Sequence, residues 1–594
     1  MVTVQIDGRQ VAVPEGMTIL AAARAAGVEI PTLCYLAGTN EVGACRICQV
    51  EVEGIDHLVA ACNSPVAEGM AVHTDTARVR EARRTNLELI LSRHDRRCPT
   101  CFRNGNCTLQ TLSENTNLHD VRYPTQLSGR PLDVDYPLVR NPDKCITCLR
   151  CVSVCSKVQA SDVWDLTGSG RRVAVTGVGH DRCTFCGQCV VNCPVGALYA
   201  VDDVRLVDAA IDDPEKIVIA TVAPSVRTSW HEDLGLDDEL ATTGRMVATL
   251  RALGFDYIFD TDFAADMTIM EEGSELLHRL QATGQTGVDA EPAHAAALSA
   301  TYGQPVPHAP MFTSCCPGWV RYVKANHPRL AQSLSSTKSP QQIFGALAKT
   351  YYAELLGVDP AKLFVVSYMP CIAKKKELTY PGMDSTGTGP DIDAVLTVRE
   401  LARQVKLHAI SAASLDEQAF DMPLGLASGA GHIFGVTGGV MEAALRSAYY
   451  LATGTNPDPD AFYQVRAAGP DHGWREMAFE LPGKTLRIAV TSGLANADAL
   501  CTAIEQGTAE FDFVEIMACP GGCVGGGGQP IRDGKVLSIP RGKRLRGIDE
   551  RSTLRFSHEN PSVTACYDTF LGAPLSEKAE RLLHSDHTEW TMPC

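Results

Sequence analysis

Long hydrophobic runs are missing from this sequence of 594 residues: no apolar stretch approaches the ~18 residues that a membrane span requires. Met1 leads straight into the alternating VTVQID, with no basic n-region and no twin arginine, so the expectation is a cytoplasmic protein without a membrane span. Basic charge is in short supply, 53 Lys+Arg against 70 Asp+Glu, and the net charge of -17 disfavours nucleic acid as a partner. No G-x-G-x-x-G fingerprint opens a strand-helix-strand unit, so any nicotinamide chemistry must reside on another subunit. Cysteine, in contrast, is plentiful. There are 23, most of them in short C-x2-C runs, in a chain far too long to be a small disulfide scaffold. That pattern points to thiolate metal ligation in a reducing compartment. With 45% hydrophobic and 21% charged residues the chain can bury a core, and its length divided by roughly 150 residues per domain gives about four domains.

The first stretch reads as β-β-α: Val2 to Ile6 alternates, Asp7-Gly8 is a hairpin turn, Gln10 to Val13 alternates, and Thr18 caps an Ala-rich helix to about Ala26. Cys34, Cys45, Cys48 and Cys62 follow with spacing C-x10-C-x2-C-x13-C, which suits a 2Fe-2S cluster or a structural zinc. Behind this opening, the spacing resembles the 2Fe-2S domain at the head of hydrogenases and of the large iron-sulfur subunit of respiratory NADH dehydrogenase, which favours the cluster.

A helical, Arg-rich stretch from about Ala77 to Arg93 then leads to His94, Cys98, Cys101 and Cys107, spaced H-x3-C-x2-C-x5-C. A lone histidine at a helix end reads as a cap or a surface residue, but three cysteines need a fourth donor. The set resembles the three-cysteine, one-histidine 4Fe-4S site of the same two families. An imidazole ligand leaves the cluster less negative and should raise its potential.

The third block is the most specific by spacing alone. Cys145, Cys148, Cys151 and Cys155 form C-x2-C-x2-C-x3-C, and Cys183, Cys186, Cys189 and Cys193 repeat it with Pro194 after the last. In this two-cluster ferredoxin pattern the fourth cysteine of each run serves the other cluster. One 4Fe-4S cluster should therefore use Cys145, Cys148, Cys151 and Cys193, and the other Cys183, Cys186, Cys189 and Cys155. Ser156 replaces the proline of the first run, which is expected to loosen the turn. Fifteen cysteines and His94 supply sixteen donors for four clusters, a serial electron wire that needs chemistry at one end.

From about Lys216 the pattern changes to apolar strands (IVIATV, LFVVSY, IAVTSG) and amphipathic stretches, an α/β body of over 300 residues. It carries Cys315 and Cys316 in TSCCPGW, Cys371 in MPCIAKKKE, and Cys519 and Cys523 in EIMACPGGCVGGGGQP. Single ligands so far apart imply a buried cluster assembled by tertiary folding. These motifs resemble the signature of the iron-only (FeFe) hydrogenases, and the similarity spans essentially the whole chain.

The resemblance implies that Cys316, Cys371, Cys519 and Cys523 hold a 4Fe-4S cubane. Cys523 would also bridge to a diiron unit bearing carbon monoxide, cyanide and azadithiolate, completing the H-cluster that interconverts hydrogen with protons and electrons. It also implies a proton relay through Cys315, Glu272, Ser335 and Glu275 to Arg279 at the outer end. Read without it, Glu272 and Glu275 at i and i+3 would be a solvated face with a Glu275 to Arg279 ion pair. Lys374 would present its ammonium to a cyanide, while Lys375 and Lys376 read as surface lysines, and Glu377 pairs with one of these or serves a second proton route. Met369 and Met517 would pack around the diiron unit, and Pro224, Ser225, Gln341 and Phe434 around its bridging group. Gly525 to Gly528 is no phosphate loop, since no Lys-Ser/Thr follows, and close backbone packing on the cluster is expected.

After Pro530 the chain resembles the small-subunit-like tail of catalytic subunits in NAD(P)-linked hydrogenase complexes, expected to wrap the body as helices, though its terminal DHTEWTMPC departs from the usual ending. Cys501, Cys566 and Cys594 are expected to be buried or incidental thiols. The expected architecture is α/β and multidomain. It comprises a β-grasp 2Fe-2S ferredoxin-like domain (1–76), a small 4Fe-4S domain with one histidine and three cysteine ligands (77–122), a two-cluster 4Fe-4S ferredoxin-like domain (136–206), a large α/β H-cluster catalytic domain (215–535) and a helical tail (536–594). Expected partners are hydrogen and protons, ferredoxin or an NAD(P)-linked flavoprotein with its iron-sulfur subunits, and maturation enzymes for the diiron unit. The rivals are a non-catalytic iron-sulfur electron-transfer or assembly protein of the same fold, which would not need Cys315, Lys374 and the paired glutamates, and a low-turnover hydrogen sensor.

Overall fold

A computed structural model describes residues 1–169, 173–283, 292–466, 473–481 and 484–593; Cys594 lies outside them. The opening is the hairpin and helix read from the sequence. Val2–Ile6 and Arg9–Val13 pair antiparallel about Asp7-Gly8, both in the left-handed region at φ 46° and 82°. Thr18 caps the helix Ile19–Ala25, accepting from the Ala21 amide at 3.3 Å. Ala71–His73 then joins Val2–Ile6 in parallel, and Gln49–Val52 and Val59–Ala60 complete a five-stranded sheet. The Arg-rich helix Ala77–Ser92 is fixed to this sheet by buried Arg83, which donates to the carbonyls of Ile47, Gln49 and Thr74.

Two short helices, Arg150–Lys157 and Gln188–Val191, mark the repeated cysteine runs. Each is entered through a left-handed residue, Leu149 or Gly187. Ser156 is exposed within the first helix, and its carbonyl still accepts from the Ala160 amide at 3.1 Å, so the missing proline leaves the turn closed.

Beyond Lys216 the chain builds two four-stranded sheets. In one, Tyr257–Asp260, Ile217–Val222, Leu363–Met369 and Ala394–Thr397 are all parallel. Helices cover both faces of such a sheet, which is why its strands read as unbroken apolar runs: every residue of LFVVSYM is buried. In the other, Met311–Phe312, Phe513–Met517 and Lys484–Ser492 are parallel and Trp474–Leu481 adds an antiparallel edge. The helix Thr261–Thr283 leaves Asp260 with no intervening loop and packs on the helices Gly439–Thr453 and Pro340–Leu347.

The tail contributes the helices Ser538–Arg551, Pro561–Cys566 and Glu577–Leu583. Arg446 and Asp549, both fully buried, tie it to the body at 2.9 Å. Its last stretch lies antiparallel beside Ser336–Lys338: Lys338 N–H donates to the Leu583 carbonyl and Ser585 N–H to the Ser336 carbonyl, each at 2.8 Å. Cys501 and Cys566 are fully buried core thiols, as expected. Among the described residues no helix is long and apolar enough to cross a membrane.

Candidate active site and the sites that feed it

Parallel strands put their carboxyl ends, and the loops that follow, on one edge. Here Val222 precedes Pro224 and Ser225, Phe312 precedes Cys315 and Cys316, Met369 precedes Cys371, and Met517 precedes Cys519 and Cys523. These loops converge on a cavity of about 80 Å³ lined by Cys315, Cys316, Cys371, Cys523 and Lys374. Pro224, Ser225, Gln341, Met369, Phe434 and Met517 line the same cavity, so every residue expected around the diiron unit is brought there. Ser225 Oγ and Gln341 Oε1 are buried without a partner in the protein, the condition of polar atoms that await a bound group. Cys519 sits just behind. Burial pushes its thiol up, and the nearby Cys371, Cys186, Cys316 and Cys523 push it further. Buried thiols crowded in this way suit an iron-sulfur cluster, which takes them as thiolates.

Behind Pro370 and Cys371, toward the N-terminal half, backbone packs directly on backbone. A Cβ placed on Gly527 would collide with the Cys186 carbonyl oxygen and lie 2.7 Å from Gly187 Cα, and one on Gly187 would lie 2.8 Å from Gly527 Cα, so both positions must be glycine for the chains to meet. Gly526 and Gly528 press in the same way on Pro370, beside Cys371. The glycine run therefore packs backbone to backbone as expected, and it joins the ferredoxin-like region to the catalytic body. Cys519 Sγ lies 3.7 Å from the Cys186 carbonyl, and Arg321 donates to the Cys183 carbonyl at 2.9 Å.

Two cavities of about 20 Å³ lie in the ferredoxin-like region. One is lined by Cys145, Cys148, Cys151 and Cys193, the other by Cys155, Cys183, Cys186 and Cys189. The fourth cysteine of each run has crossed to the other cavity. His94 is buried with Nδ1 unpartnered, and burial, reinforced by Lys144, lowers its pKa to about 4, which leaves a neutral imidazole suited to metal donation. Of its expected companions, Cys107 Sγ lies 3.8 Å from the Pro194 carbonyl, and Cys101 Sγ rests on Gly196, in the space a Cβ there would fill. Cys98 is half-buried at the start of a single helical turn that closes on Cys101. In the N-terminal domain Cys34, Cys48 and Cys62 are buried and Cys45 is half-buried.

The four sites are not in series. The Asn40 side-chain amide, fully buried, donates to the Cys34 carbonyl at 2.7 Å and the Cys148 carbonyl at 3.0 Å, while its oxygen accepts from Ser153 Oγ at 2.7 Å. The Cys34 set therefore abuts the Cys145 set directly, and the His94 set reaches the same one through Pro194 and Gly196. The array is a fork with two outer prongs. A buried node holds it together: Arg150 donates to the Tyr35 carbonyl at 3.0 Å and pairs with Asp533 of the catalytic body at 2.5 Å, and Thr108 also donates to Asp533.

On the opposite side of the active cavity the side chains are titratable. The Cys315 thiol is pushed up by burial, then by Glu272 and neighbouring thiols. Glu272 is fully buried with both carboxyl oxygens unpartnered; burial and the charge of Glu275 raise its pKa to about 8. Ser335 Oγ donates to Glu275 Oε2 at 2.6 Å, and Arg279 donates to Oε1. Burial would raise the Glu275 pKa, but Arg279, His584 and these donors outweigh it and lower it. The ion pair between Glu275 and Arg279 exists, but it is buried, not a solvated face.

Lys374 lines the cavity, donating to the Cys315 carbonyl at 3.2 Å and to both Glu377 oxygens at 3.0 and 3.1 Å. Glu377 thus pairs with this lysine, and it also accepts from Ser339 and Gln341. The surface reading of Lys375 is corrected. It is fully buried between Asp203 (2.5 Å) and Glu400 (2.8 Å), because a charge that cannot reach water needs paired carboxylates. Lys376 is half-buried. Another buried charge cluster has no signal in the sequence. Asp260, Asp262 and His432 lie close enough to share an ion, but Arg227 pairs with both carboxylates at 2.6 and 3.1 Å and takes the cation's place.

Comparison with known proteins agrees with this geometry. The profile described as Iron only hydrogenase large subunit, C-terminal domain, matches residues 216–527, and the Iron hydrogenase small subunit profile matches 539–590. A 2Fe-2S iron-sulfur cluster binding domain matches 1–77, the NADH-ubiquinone oxidoreductase-G iron-sulfur binding region 83–122, and a 4Fe-4S dicluster domain 144–197. The chain belongs to the family of iron-only hydrogenase large subunits: it is a multidomain α/β hydrogenase, an oxidoreductase whose catalytic domain is fed by iron-sulfur relay domains. It is 45% identical to the NADP-reducing hydrogenase subunit HndD of Solidesulfovibrio fructosivorans, with 99% of both chains covered. It is 37% identical to iron hydrogenase 1 of Clostridium pasteurianum over 98% of this chain and 99% of that one. Apo FeFe-hydrogenase HydA1 from Chlamydomonas reinhardtii superposes with a TM-score of 0.54 at 41% identity, covering 65% of this chain and 98% of that one. This sets the non-catalytic alternative aside.

Proposed function

We propose that Cys316, Cys371, Cys519 and Cys523 would hold the 4Fe-4S cubane of the H-cluster, that Cys523 would also hold the diiron unit, and that the accessory ligand sets are those expected from the spacing. That makes one 2Fe-2S and three 4Fe-4S accessory clusters. The observation that carries this reading is the convergence, on one cavity, of three distant cysteine motifs with Lys374 and the six surrounding side chains. When bound, the H-cluster supplies the electrophilic iron and the base that split hydrogen heterolytically.

The chain's own residues then move the proton and hold the group. Lys374, oriented by Glu377, would offer the bound group a charge-assisted hydrogen bond. Met369, Met517, Pro224 and Phe434 keep water out, and Ser225 and Gln341 offer unsatisfied polar atoms. Cys315 exchanges a proton with Glu272, whose raised pKa lets it hold that proton near neutrality, and Ser335 passes it to Glu275. A buried relay of this kind favours turnover over a slow sensing role.

The domain limits 1–76, 77–122, 136–206, 215–535 and 536–594 are part of the proposal. So is a cytoplasmic location, and so is the electron partner: ferredoxin, or a flavoprotein and iron-sulfur subunits linked to NAD(P), as the name of the HndD relative suggests. The test is infrared spectroscopy of anaerobically matured protein with copurifying subunits identified. Carbonyl and cyanide bands are expected, together with a flavin-containing partner; a matured protein lacking those bands would defeat the ligand assignment.

A further inference from the structure

Three segments wall one side of the active cavity. Pro224 and Ser225 line it from the turn Pro224–Thr228, Thr261 from the junction of strand and helix, and Phe434 from the stretch 429–435. Where they meet, backbone is packed close. A Cβ on Gly435 would lie 3.0 Å from Ser225 Cβ and 3.3 Å from Ser225 N, and one on Gly431 would lie 2.6 Å from the Asp262 carbonyl oxygen. At those points there is no room for a side chain between the segments.

The same segments are tied a second time, by charge. Arg227 stands two residues after Ser225, Asp260 and Asp262 flank Thr261, and His432 stands two residues before Phe434. Arg227 Nη2 donates to Asp260 Oδ1 at 2.6 Å and lies 3.1 Å from Asp262 Oδ2, and His432 Nδ1 lies 2.5 Å from that same Asp262 oxygen. Each segment thus sends a side chain to one buried point. One turn further along the helix Thr261–Thr283, fully buried Asp266 accepts from the Ser428 amide at 2.8 Å and from the Ser428 hydroxyl at 2.5 Å, so the stretch 429–435 is also pinned at its start. Stability alone does not account for such a cluster, since burying charges costs about what their attraction returns and apolar residues of similar volume often serve a core as well. What a guanidinium between two carboxylates adds is direction, because its planar donors accept few arrangements of partners.

We infer that Arg227 is a positioning residue of the hydrogenase: through Asp260, Asp262 and His432 it holds the segments of Ser225, Thr261 and Phe434 in one arrangement around the bound diiron unit. Arg227 does not itself line the cavity and acts only through those segments. This rests on the H-cluster reading above.

The test uses the matured holoenzyme carrying Arg227→Met together with Asp260→Asn, which removes one charge of each sign and leaves the net charge of the cluster as it was. His432→Phe and His432→Gln are compared with it, with thermal unfolding followed in each. In the double variant the carbonyl and cyanide infrared bands should shift or broaden and hydrogen turnover should fall ~10- to 100-fold, while the paramagnetic signals of the accessory clusters stay as in wild type. Amides of 224–228 and 429–435 should exchange with deuterium at least ~10-fold faster. His432→Phe leaves the ion pairs whole and should loosen 429–435 alone, and His432→Gln, which keeps a polar partner for Asp262, should restore it. Wild-type bands and wild-type amide exchange in both the double variant and His432→Phe would overturn the positioning role. So would faster exchange spread evenly over the chain, the mark of a general loss of stability. Wild-type protein without carbonyl and cyanide bands would instead remove the H-cluster reading, and exchange at 224–228 and 429–435 would still decide whether Arg227 ties the segments.

Discussion

The two sides of the active cavity are built from opposite materials. Toward the clusters the packing behind the cavity is glycine backbone on backbone, Gly527 on Cys186-Gly187 and Gly526 and Gly528 on Pro370. Toward the tail it is Cys315, Glu272, Ser335 and Glu275, the groups of the proposed proton relay, the last three of them buried. An electron needs proximity, so that side removes side chains to bring backbones together. A proton needs a chain of donors and acceptors, so the other side pays for buried carboxyls that an inert core would never carry.

If that division holds, the two sides fail differently. The largest effect belongs to the proton side: Cys315→Ser or Glu272→Gln, with full iron content and normal infrared bands, should lose ~10² to 10⁴ in hydrogen turnover measured by gas chromatography. Turnover near wild type would erase the contrast. Next, Gly527→Ala should force the Cys186 contact apart at a cost of ~1–3 kcal/mol. Dye-linked hydrogen oxidation should fall, while exchange of deuterium between hydrogen gas and water, which needs protons but no electron export, persists.

The buried carboxyl also sharpens the comparison through stability. The Glu272 pKa in the folded chain is about 8, above its ordinary value of 4.5, so the folded state binds the extra proton between those values. Stability from this group is present at low pH and is lost as pH rises from about 4.5 to about 8. Thermal melts of cluster-free protein should show Glu272→Gln gaining on wild type across that window. The smallest effect is expected at the fork. Asn40→Leu leaves two buried carbonyls unpaired, a loss of ~1–3 kcal/mol. It should slow reduction of the 2Fe-2S signal by hydrogen while leaving the 4Fe-4S signals unchanged in rapid-freeze electron paramagnetic resonance.

How much of this could be read in the sequence follows from range. The cysteine runs are local, a turn or a helix apart, so spacing alone sorts Cys155 and Cys193 into opposite cavities. The strands of the body announce themselves as apolar runs. What escapes depends on partners far along the chain: Asn40 answers to Cys148, Arg150 to Asp533, Lys375 to Asp203, and Glu271 to His584 and Tyr567. Nothing local distinguishes Lys375 from Lys376 in AKKKE. The fork is invisible for the same reason, since the order of ligand sets along the chain gives no hint that Cys34 and Cys107 approach one neighbour.

The antiparallel pairing of Leu583–Ser585 with Ser336–Lys338 has a consequence for the birth of the molecule. Leu583–Ser585 follow that edge at a sequence distance of 248 residues, measured from Ser336 to His584, so the edge bearing Ser335 is made first and stays uncovered until the tail has been made and docks. An exposed edge invites wrong pairing, and its partner here arrives late. Docking of the tail is thus the event that covers the proposed proton side of the cavity.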